Sequence, residues 1–547
     1  MSIAKKISQA NWSEFFLDTA AFTAVPAYQQ LLKEATHPFD LTAPGAITAK
    51  RLRHMRAREA GWTLLWGFER VSEATEAALF ALARERRVLE QMYCMQAGYP
   101  INWIEGFESE KRAVLHTATR DLFDHPQGSP EAQEVQRATR AEHEKLKRFL
   151  QRLDEEGRFS EMIVVGIGGS ELGPRALYQS LAFMYRPDRR VSFIGNVDPD
   201  DVAIVLRDTD FARSLVVVIS KSGTTEETAT NEALLRDAFV KRNIDPKAHF
   251  VAITCPHTPM DDRSRYRECF YLWESIGGRY SSTSMVGGVL LSFACGYENY
   301  LELVCGAHDM DRVALDEDFR DNLPLIGALM GIWNRNFLNY PTVAVIPYSR
   351  LLSRFPAHLQ QCEMESNGKR IDRKGRPVPF QTAPIVWGEP GTNAQHSFFQ
   401  LVHQGTEVVP LELIGCATPQ GGVDFTWQHT TSQEKLLSNL VAQAVALATG
   451  QDNANPNKYF PGNRPSLLLL AKRLTPRTLG ALLAYYEHKT AFQGFLWGIN
   501  SFDQEGVQLG KKLASRCQSL YAARRTGKKP AEHFELGEAL VDLISSA

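Results

Sequence analysis

Two side chains in the second half of the sequence are of the types that move protons. Glu365 lies in residues 361–369, and His396 ends residues 391–396. A carboxylate can remove a proton and return it, and an imidazole can donate or accept one near neutral pH. The pair indicates general acid–base chemistry, provided that the fold also positions a substrate.

Each of these residues also has an ordinary structural explanation. Glu365 can pair with Lys369 near a helix end, and such pairs contribute only roughly a few tenths of a kcal/mol. His396 can pack near Phe398, and His403, on a similar face, is an equally good imidazole. Spacing alone does not choose between the two histidines.

A glycine loop at residues 166–170 follows an apolar run at residues 162–165. This is the strand–loop–helix unit of a parallel sheet. A dinucleotide-binding loop needs a third glycine where Glu171 stands, and the sequence has no Walker A loop. The loop therefore predicts either a tight turn or a close approach to a ligand, with Ser170 near the helix start.

The same unit recurs with an apolar run at residues 215–219, and the loop that follows this run is crowded with hydroxyl groups. Its polar residues are Ser220, Lys221, Ser222, Thr224, Thr225 and Thr228. Unpaired N–H groups at a helix N-terminus and nearby hydroxyls can surround a phosphate dianion. Helix capping is the alternative, but capping needs one hydroxyl. The loop favours phosphate binding.

Two cations remain ambiguous in the sequence. Arg279 follows Gly277 and Gly278 on a predicted turn. An isolated arginine is usually a surface charge or ion-pair partner, yet its permanent charge suits a developing oxyanion. Lys511, beside Lys512, would ordinarily be exposed to solvent.

The strand–loop–helix units indicate an α/β protein with two such domains. Further strands are predicted at residues 250–253, 342–346, 384–387 and 408–413. The first 120 residues are rich in helix formers and predict a helical arm. The charged residues 309–321 are a candidate connection between the domains.

Composition excludes several classes of protein. The 547 residues are 44% hydrophobic and 23% charged, with a formal net charge of -2, so a nucleic-acid-binding, disordered or membrane protein is not expected. The eight cysteines form no CxxC pair, which argues against a zinc site or a disulfide framework. We expect a cytoplasmic protein, since neither a signal sequence nor a long apolar run is evident.

Together these segments resemble the motifs of the phosphoglucose isomerase family. The motifs that carry the resemblance lie at residues 166–170, 220–228, 278–281, 364–369, 391–396 and 506–511. They occur in the family's order and extend from residue 166 to residue 511. The ordered set is far more specific than any single motif.

The resemblance implies an α/β fold of two sugar-isomerase (SIS) three-layer αβα sandwich domains with parallel sheets, an N-terminal helical arm and a C-terminal helical tail. The expected boundaries are residues 1–120 for the arm, 121–290 and 291–515 for the two domains, and 516–547 for the tail.

The resemblance also implies roles for individual residues. Glu365 matches the base that carries a proton between C1 and C2, and Arg279 matches the group that stabilises the intermediate. His396 and Lys511 match the groups associated with ring opening. Substrate contacts are implied for Gly169, Ser170, Ser220, Lys221, Ser222, Thr225, Thr228, Gln361 and Gln504.

The activity implied by the resemblance is the reversible isomerisation of glucose 6-phosphate and fructose 6-phosphate, in glycolysis and gluconeogenesis. The sugar ring would open, and a cis-enediol or enediolate would form. Neither a cofactor nor a metal is implied. A homodimer is implied, with His396 reaching the site of the partner subunit.

Some residues depart from the family pattern. Glu171 stands where Asp is usual, Ser222-Gly223 replaces Thr-Phe, and Ser282-Thr283 replaces Leu-Trp. These changes bear on affinity and selectivity. Two alternatives stay open: a different enzyme, either a dual glucose/mannose phosphate isomerase or an aminosugar isomerase, and a sugar-phosphate sensor without turnover.

Overall fold

The computed structural model describes residues 7, 11–17, 19–123, 128–529 and 532–546. The chain divides into two compact units, one ending at Ser501 and one beginning at Phe502. The strands are β1 (Arg56–Glu59), β2 (Trp62–Phe68), β3 (Glu161–Val165), β4 (Arg190–Ile194), β5 (Ser214–Ile219), β6 (Phe250–Thr254), β7 (Glu268–Tyr271), β8 (Thr342–Pro347), β9 (Ile385–Trp387), β10 (Leu411–Thr418), β11 (Thr426–Trp427), β12 (Thr430–Thr431) and β13 (Ser466–Arg473).

The described residues also form helices. The α-helices are Glu14–Leu17, Pro26–Thr36, Ala49–His54, Glu73–Glu85, Val88–Ala97, Pro130–Glu156, Leu172–Ser180, Pro199–Arg207, Glu226–Val240, Met285–Cys295, Tyr297–Val313, Leu323–Ile332, Phe355–Gln360, Gly391–Gln395, Phe399–Gln404, Ser432–Thr449, Pro476–Trp497, Gln508–Thr526 and Glu535–Ser546. Trp333–Phe337 and Gln361–Glu365 are π-helical. Within the described ranges, no helix is both long and apolar enough to span a bilayer.

The first sheet has the strand order β4-β3-β5-β6-β7, and all its neighbouring strands are parallel. Strand β5 is buried throughout, which explains its continuous apolar run. The chain passes from β3 to β4 on one side and then returns to β5 on the other side. Parallel sheets bind ligands beyond the carboxyl ends of the strands at such a switch point. The glycine loop and the hydroxyl loop both begin there.

The second sheet has the order β1-β2-β13-β10-β8-β9. The four strands from β13 to β9 are parallel, although the sequence analysis did not predict β13, whereas β2 pairs with β13 and β1 with β2 in antiparallel fashion. The sequence analysis predicted helix, not strand, before residue 120. Helices do occupy much of that segment, but the hairpin β1–β2 extends the sheet, because Trp62, Leu64 and Trp66 are buried on it.

The prediction that residues 309–321 form a charged connection is wrong in its first part. The helix Tyr297–Val313 continues through Asp311, which is buried. Arg120 Nε and Nη2 donate to the two Asp311 carboxylate oxygens at 2.8 and 2.7 Å, and Arg120 Nη1 donates to Glu487 at 2.7 Å. The charge at Asp311 is thus an internal ion pair, which the sequence pattern does not reveal.

The helix Pro476–Trp497 crosses the interior and is buried along almost its whole length. It packs closely on Tyr297–Val313 through glycines. A Cβ atom on Gly306 would lie 1.8 Å from the Arg477 carbonyl oxygen, and a Cβ atom on Gly480 would lie 1.8 Å from the Leu303 carbonyl oxygen. Only residues without a Cβ atom permit this helix separation.

Glu69 gives the fold a specific pH dependence. Its side chain is buried, Asn334 Nδ2 donates to its Oε2 at 3.1 Å, and burial raises its pKa from 4.5 to about 8. Between pH 4.5 and about 8, Glu69 therefore holds a proton in the folded protein that it releases in the unfolded chain. The stabilisation from this neutral carboxyl is present below pH 4.5 and is lost as the pH rises to about 8.

We predict that Glu69→Gln makes the protein more stable than the parent at pH 9 and not at pH 5, because the amide stays neutral. The difference should grow by up to about 1.4 kcal/mol per pH unit within the titration window. Urea unfolding at both pH values measures it. Glu73→Gln, at an exposed position, is the control and should show no such trend; an equal effect of Glu69→Gln at both pH values would contradict the assignment.

Candidate active site

The glycine loop after β3 packs directly against the turn that carries Arg279. The 3-10 turn Gly168–Ser170 meets the 3-10 turn Gly278–Tyr280, and a Cβ atom on Gly169 would lie 2.2 Å from the Gly278 carbonyl carbon. Gly168 has φ +60°, and a Cβ atom there would lie 3.3 Å from Gln361 Nε2. The loop therefore brings Gly169, Arg279 and Gln361 to one place.

Arg279 is buried and faces Glu365. Its side chain is 1% exposed, that of Glu365 is 22% exposed, and Nη1 lies 3.4 Å from Glu365 Oε1. Arg279 is therefore not the surface charge that an isolated arginine usually is. Lys369 Nζ donates to the main-chain carbonyl of Glu365 at 2.8 Å, so the helix-end pair of two side chains is replaced by the pair of Glu365 with Arg279.

Glu365 ends the π-helical segment Gln361–Glu365. A π-helical turn accommodates an extra residue and is frequent at functional sites. Two residues before Glu365, the buried Glu363 accepts hydrogen bonds from Thr490 Oγ1 at 2.9 Å and Asn367 Nδ2 at 3.1 Å, and burial raises the pKa of Glu363. One carboxylate of this turn anchors it to the interior, while the next is accessible to solvent.

In the hydroxyl loop after β5, the Thr225 side chain does not cap the helix that follows it. This residue precedes the helix Glu226–Val240 but its side chain makes no capping hydrogen bond; instead Ser220 Oγ and Thr225 Oγ1 are 2.9 Å apart. The hydroxyl of Thr228 is buried and has no hydrogen-bond partner among the described residues. These hydroxyls face the helix N-terminus, where an anion is favoured.

Ser222 and Lys221 complete this loop. Ser222 Oγ accepts from the N–H and the hydroxyl of Thr224 at 3.2 and 2.9 Å. Lys221 Nζ donates to the Glu274 carbonyl at 2.7 Å, and burial, followed by the nearby charge of Arg112, lowers the pKa of Lys221. An anion bound here would relieve the repulsion between the two cations.

The two candidate histidines have different environments. His403 Nε2 lies 2.6 Å from Gln443 Oε1, and its ring lies 5.9 Å from that of Phe399, so His403 is the packed histidine. His396 follows the helix Gly391–Gln395 and is exposed. Its imidazole has no hydrogen bond or ion pair with any described residue, which leaves it available to another molecule.

Comparison with known proteins identifies relatives that match almost the whole chain. The phosphoglucose isomerase family model matches residues 66–534. The chain is 54% identical to the glucose-6-phosphate isomerase of Protochlamydia amoebophila over 535 residues, which cover 98% of each protein. A solved glucose-6-phosphate isomerase from Chlamydia trachomatis superposes with a TM-score of 0.92 at 49% identity, covering 96% of this chain and 100% of that one.

The chain belongs to the phosphoglucose isomerase family. A second bacterial member, the glucose-6-phosphate isomerase of Chlamydia pneumoniae, is 54% identical over 90% of this chain and 93% of its own length. The family resemblance of the six motifs, and the α/β fold that it implies, are confirmed.

Two of the predicted residues lie in the second unit of the chain. Gln504 precedes the helix Gln508–Thr526, and Lys511 lies in the first turn of that helix; both side chains are exposed. Within this unit the helix packs on Glu535–Ser546. The proposed contacts of Gln504 and Lys511 with substrate stay predictions.

One departure from the family pattern has a structural partner. The Glu171 carboxylate pairs with Arg175 at 2.9 Å and with Arg354 at 3.5 Å, so it is neutralised by arginines beside the glycine loop.

The sequence analysis did not single out Ser366, Asn367 or Ser501, although each is connected to Arg279 or to its supporting groups. Ser366 and Asn367 lie in a recognised motif, whereas the contribution of Ser501 is a main-chain carbonyl and has no sequence signal.

Gly169→Ala should destabilise the protein, because the added methyl group collides with the Gly278 main chain, which cannot move without displacing Arg279. We expect the melting temperature to fall by several degrees, corresponding to about 1–3 kcal/mol of overpacking. Gly278→Ala is the matched control, since a Cβ atom there meets nothing within 4 Å. Equal melting temperatures for the two variants would show that the loops are not in close contact.

Proposed function

We propose that this protein interconverts glucose 6-phosphate and fructose 6-phosphate through ring opening and a cis-enediol or enediolate. The observation that carries the proposal is the pairing of the accessible Glu365 carboxylate with the buried Arg279 guanidinium, 3.4 Å apart, against the glycine loop. A base and a fixed positive charge at one place are what the removal of a weakly acidic C–H requires.

The phosphate group is anchored by the hydroxyl loop after β5. Ser220, Ser222, Thr225 and Thr228 supply hydroxyls, and Lys221 supplies a positive charge. Gly169 and Ser170, in the neighbouring loop across the switch point, lie near the sugar, and Gln361 extends toward the same loop. Anchoring the phosphate fixes the distance from the reacting carbons to Glu365, which contributes much of the rate enhancement in such reactions.

Glu365 removes the proton from C2 of the open-chain aldose and returns it to C1, while the hydroxyl proton on O2 passes to O1, so that C1 becomes an alcohol and C2 the ketone. The carbonyl oxygen becomes negatively charged as the C–H bond breaks, and Arg279 stabilises that charge. Since the guanidinium is already held in place and shielded from water, it does not have to reorganise during the reaction. The same steps in reverse convert the ketose to the aldose, and the reaction is expected to survive treatment with EDTA.

Ring opening requires a proton for the ring oxygen and a base for the C1 hydroxyl. We assign these tasks to His396 and Lys511, with Gln504 contacting the substrate. The imidazole of His396 is exposed and has no partner among the described residues, which supports its delivery to a second subunit, so the active form is proposed to be a homodimer. We also propose four segments with the limits 1–120, 121–290, 291–515 and 516–547. The proposed location is cytoplasmic, and the proposed role lies in glycolysis and gluconeogenesis.

The purified protein, given fructose 6-phosphate and EDTA, should form glucose 6-phosphate. Glu365→Gln should lower kcat by about 10²–10⁴-fold and abolish deuterium exchange at C2 of glucose 6-phosphate, while binding of fructose 6-phosphate, measured by calorimetry, persists. The amide has the shape of the carboxylate but cannot accept the proton.

Glu171→Gln is the matched control for this experiment, because Glu171 is a buried carboxylate beside the same glycine loop that pairs with arginines. The kcat of Glu171→Gln should fall by less than about tenfold, as expected for a group that transfers no proton. Binding without turnover by the parent protein would favour the sugar-phosphate sensor, and near-normal exchange in Glu365→Gln would exclude Glu365 as the base. Mannose 6-phosphate, offered in the same assay, tests the broader isomerase.

The dimer proposal predicts complementation between two inactive variants. A hybrid of one Glu365→Gln subunit and one His396→Ala subunit contains one site with both Glu365 and His396, if the imidazole is supplied by the partner. Mixed and refolded variants should therefore recover about a quarter of the parent activity, since half of the dimers are hybrids and each has one intact site. Recovery no greater than that of the separate variants would show that His396 acts within its own subunit or not at all.

A further inference from the structure

Ser366 and Ser501 are among the groups that orient the Arg279 guanidinium, in addition to Glu365. Arg279 Nε donates to Ser366 Oγ at 2.6 Å, and Nη2 donates to the main-chain carbonyl of Ser501 at 2.7 Å. The third nitrogen, Nη1, faces Glu365. Because a guanidinium is a rigid plane, two hydrogen bonds at Nε and Nη2 determine where Nη1 points.

Ser366 is itself fixed on its other side. Tyr280 OH lies 2.8 Å from Ser366 Oγ, and the buried Tyr280 ring stacks on His116 with ring centroids 4.8 Å apart. Ser366 is completely buried, so no solvent competes for its hydroxyl. It also directly follows Glu365 in the chain, which means that a shift of the base and a shift of its cationic partner are coupled through one peptide unit.

The second acceptor, the Ser501 carbonyl, is held through Asn367. Ser501 Oγ donates to Asn367 Oδ1 at 2.7 Å. The Asn367 amide nitrogen donates in turn to Glu363 Oε1 at 3.1 Å and to the Thr490 carbonyl at 2.9 Å. Asn367 is completely buried, and every one of these bonds leads into the interior.

We infer that Ser366 and Asn367 are positioning residues that set the orientation of Arg279 relative to Glu365, Ser366 directly and Asn367 through Ser501. The inference rests on the proposed function. Neither side chain is exposed toward a substrate, so both act through Arg279. Residues 363–367 thus combine the base, the acceptor for its electrostatic partner and the anchor of the opposite acceptor in five consecutive positions.

The consequence is a specific kinetic effect. Ser366→Ala removes the acceptor at Nε, so the guanidinium can rotate away from the developing oxyanion, and kcat should fall by about 10- to 100-fold. KM should change by less than about threefold, because the phosphate loop is untouched. Ser501→Ala keeps the carbonyl but removes its tether to Asn367, and the expected fall in kcat is smaller, about two- to tenfold.

A double-mutant cycle tests whether Ser366 acts through Arg279. The parent, Ser366→Ala, Arg279→Ala and the double variant are assayed with fructose 6-phosphate. If the inference holds, Ser366→Ala slows the parent but not the Arg279→Ala protein, since no guanidinium remains to be oriented. Ser180→Ala is the control: within the part of the chain that the structure describes, this buried hydroxyl donates to the Ala176 and Leu351 carbonyls and not to the active-site residues, and its removal should leave kcat within about twofold.

The outcomes separate this inference from the proposed function. No turnover by the parent protein would overturn the proposed function itself. With an active parent, an equal effect of Ser366→Ala in both backgrounds, or a kcat within twofold of the parent, would overturn the positioning role. Melting temperatures identify any variant that fails to fold; if Ser366→Ala does, Ser366→Cys, which fills the site with a somewhat larger atom but accepts hydrogen bonds weakly, replaces it in the same cycle.

Discussion

The buried guanidinium of Arg279 is the constraint that organises the centre of this protein. A permanently charged group at 1% exposure is stable only if its nitrogens are satisfied, because an unpaired buried charge is strongly destabilising. Among its partners are the carboxylate and hydroxyl of the consecutive residues Glu365 and Ser366 and the main-chain carbonyl of the distant Ser501. The carboxylate, Glu365, is the member of the set that remains accessible, and so the electrostatic requirement of the fold and the proposed chemistry coincide.

The parallel first sheet helps to explain why these distant segments meet. The glycine loop and the hydroxyl loop leave the first sheet at its switch point, between β3 and β5, where the strands no longer obstruct a ligand. The turn at Arg279 packs on the glycine loop so closely that Gly169 has no room for a Cβ atom. Arg279 then joins the turn that carries Glu365, through hydrogen bonds and an ion pair rather than through the sheet.

Buried hydrogen bonds and ion pairs of the helix Pro476–Trp497 stabilise the interior side of the turn that carries Glu365. The helix Pro476–Trp497 is buried along almost its whole length and carries Thr490, which donates to Glu363, as well as Glu487, which pairs with Arg120. Close packing through Gly306 and Gly480 holds this helix in the interior. Interior ion pairs are poor contributors to stability but restrict the ways in which elements can pack. The turn of Glu365 is therefore supported by an element with little freedom to shift.

Elements with local signals could be predicted from the sequence alone. Continuous apolar runs identified β3, β5, β6, β8, β9 and β10, and the glycine and hydroxyl loops, the acid–base residues and their order indicated the family. Other features depend on contacts between distant segments, which no local pattern encodes. The hairpin β1–β2 exists because its tryptophans are covered by the rest of the protein. Arg279 looked like an ordinary surface cation, His396 and His403 looked equivalent, and Ser501 contributes a main-chain carbonyl that any residue possesses. Only the tertiary structure decided these, because burial and hydrogen-bond partners arise when the chain is folded.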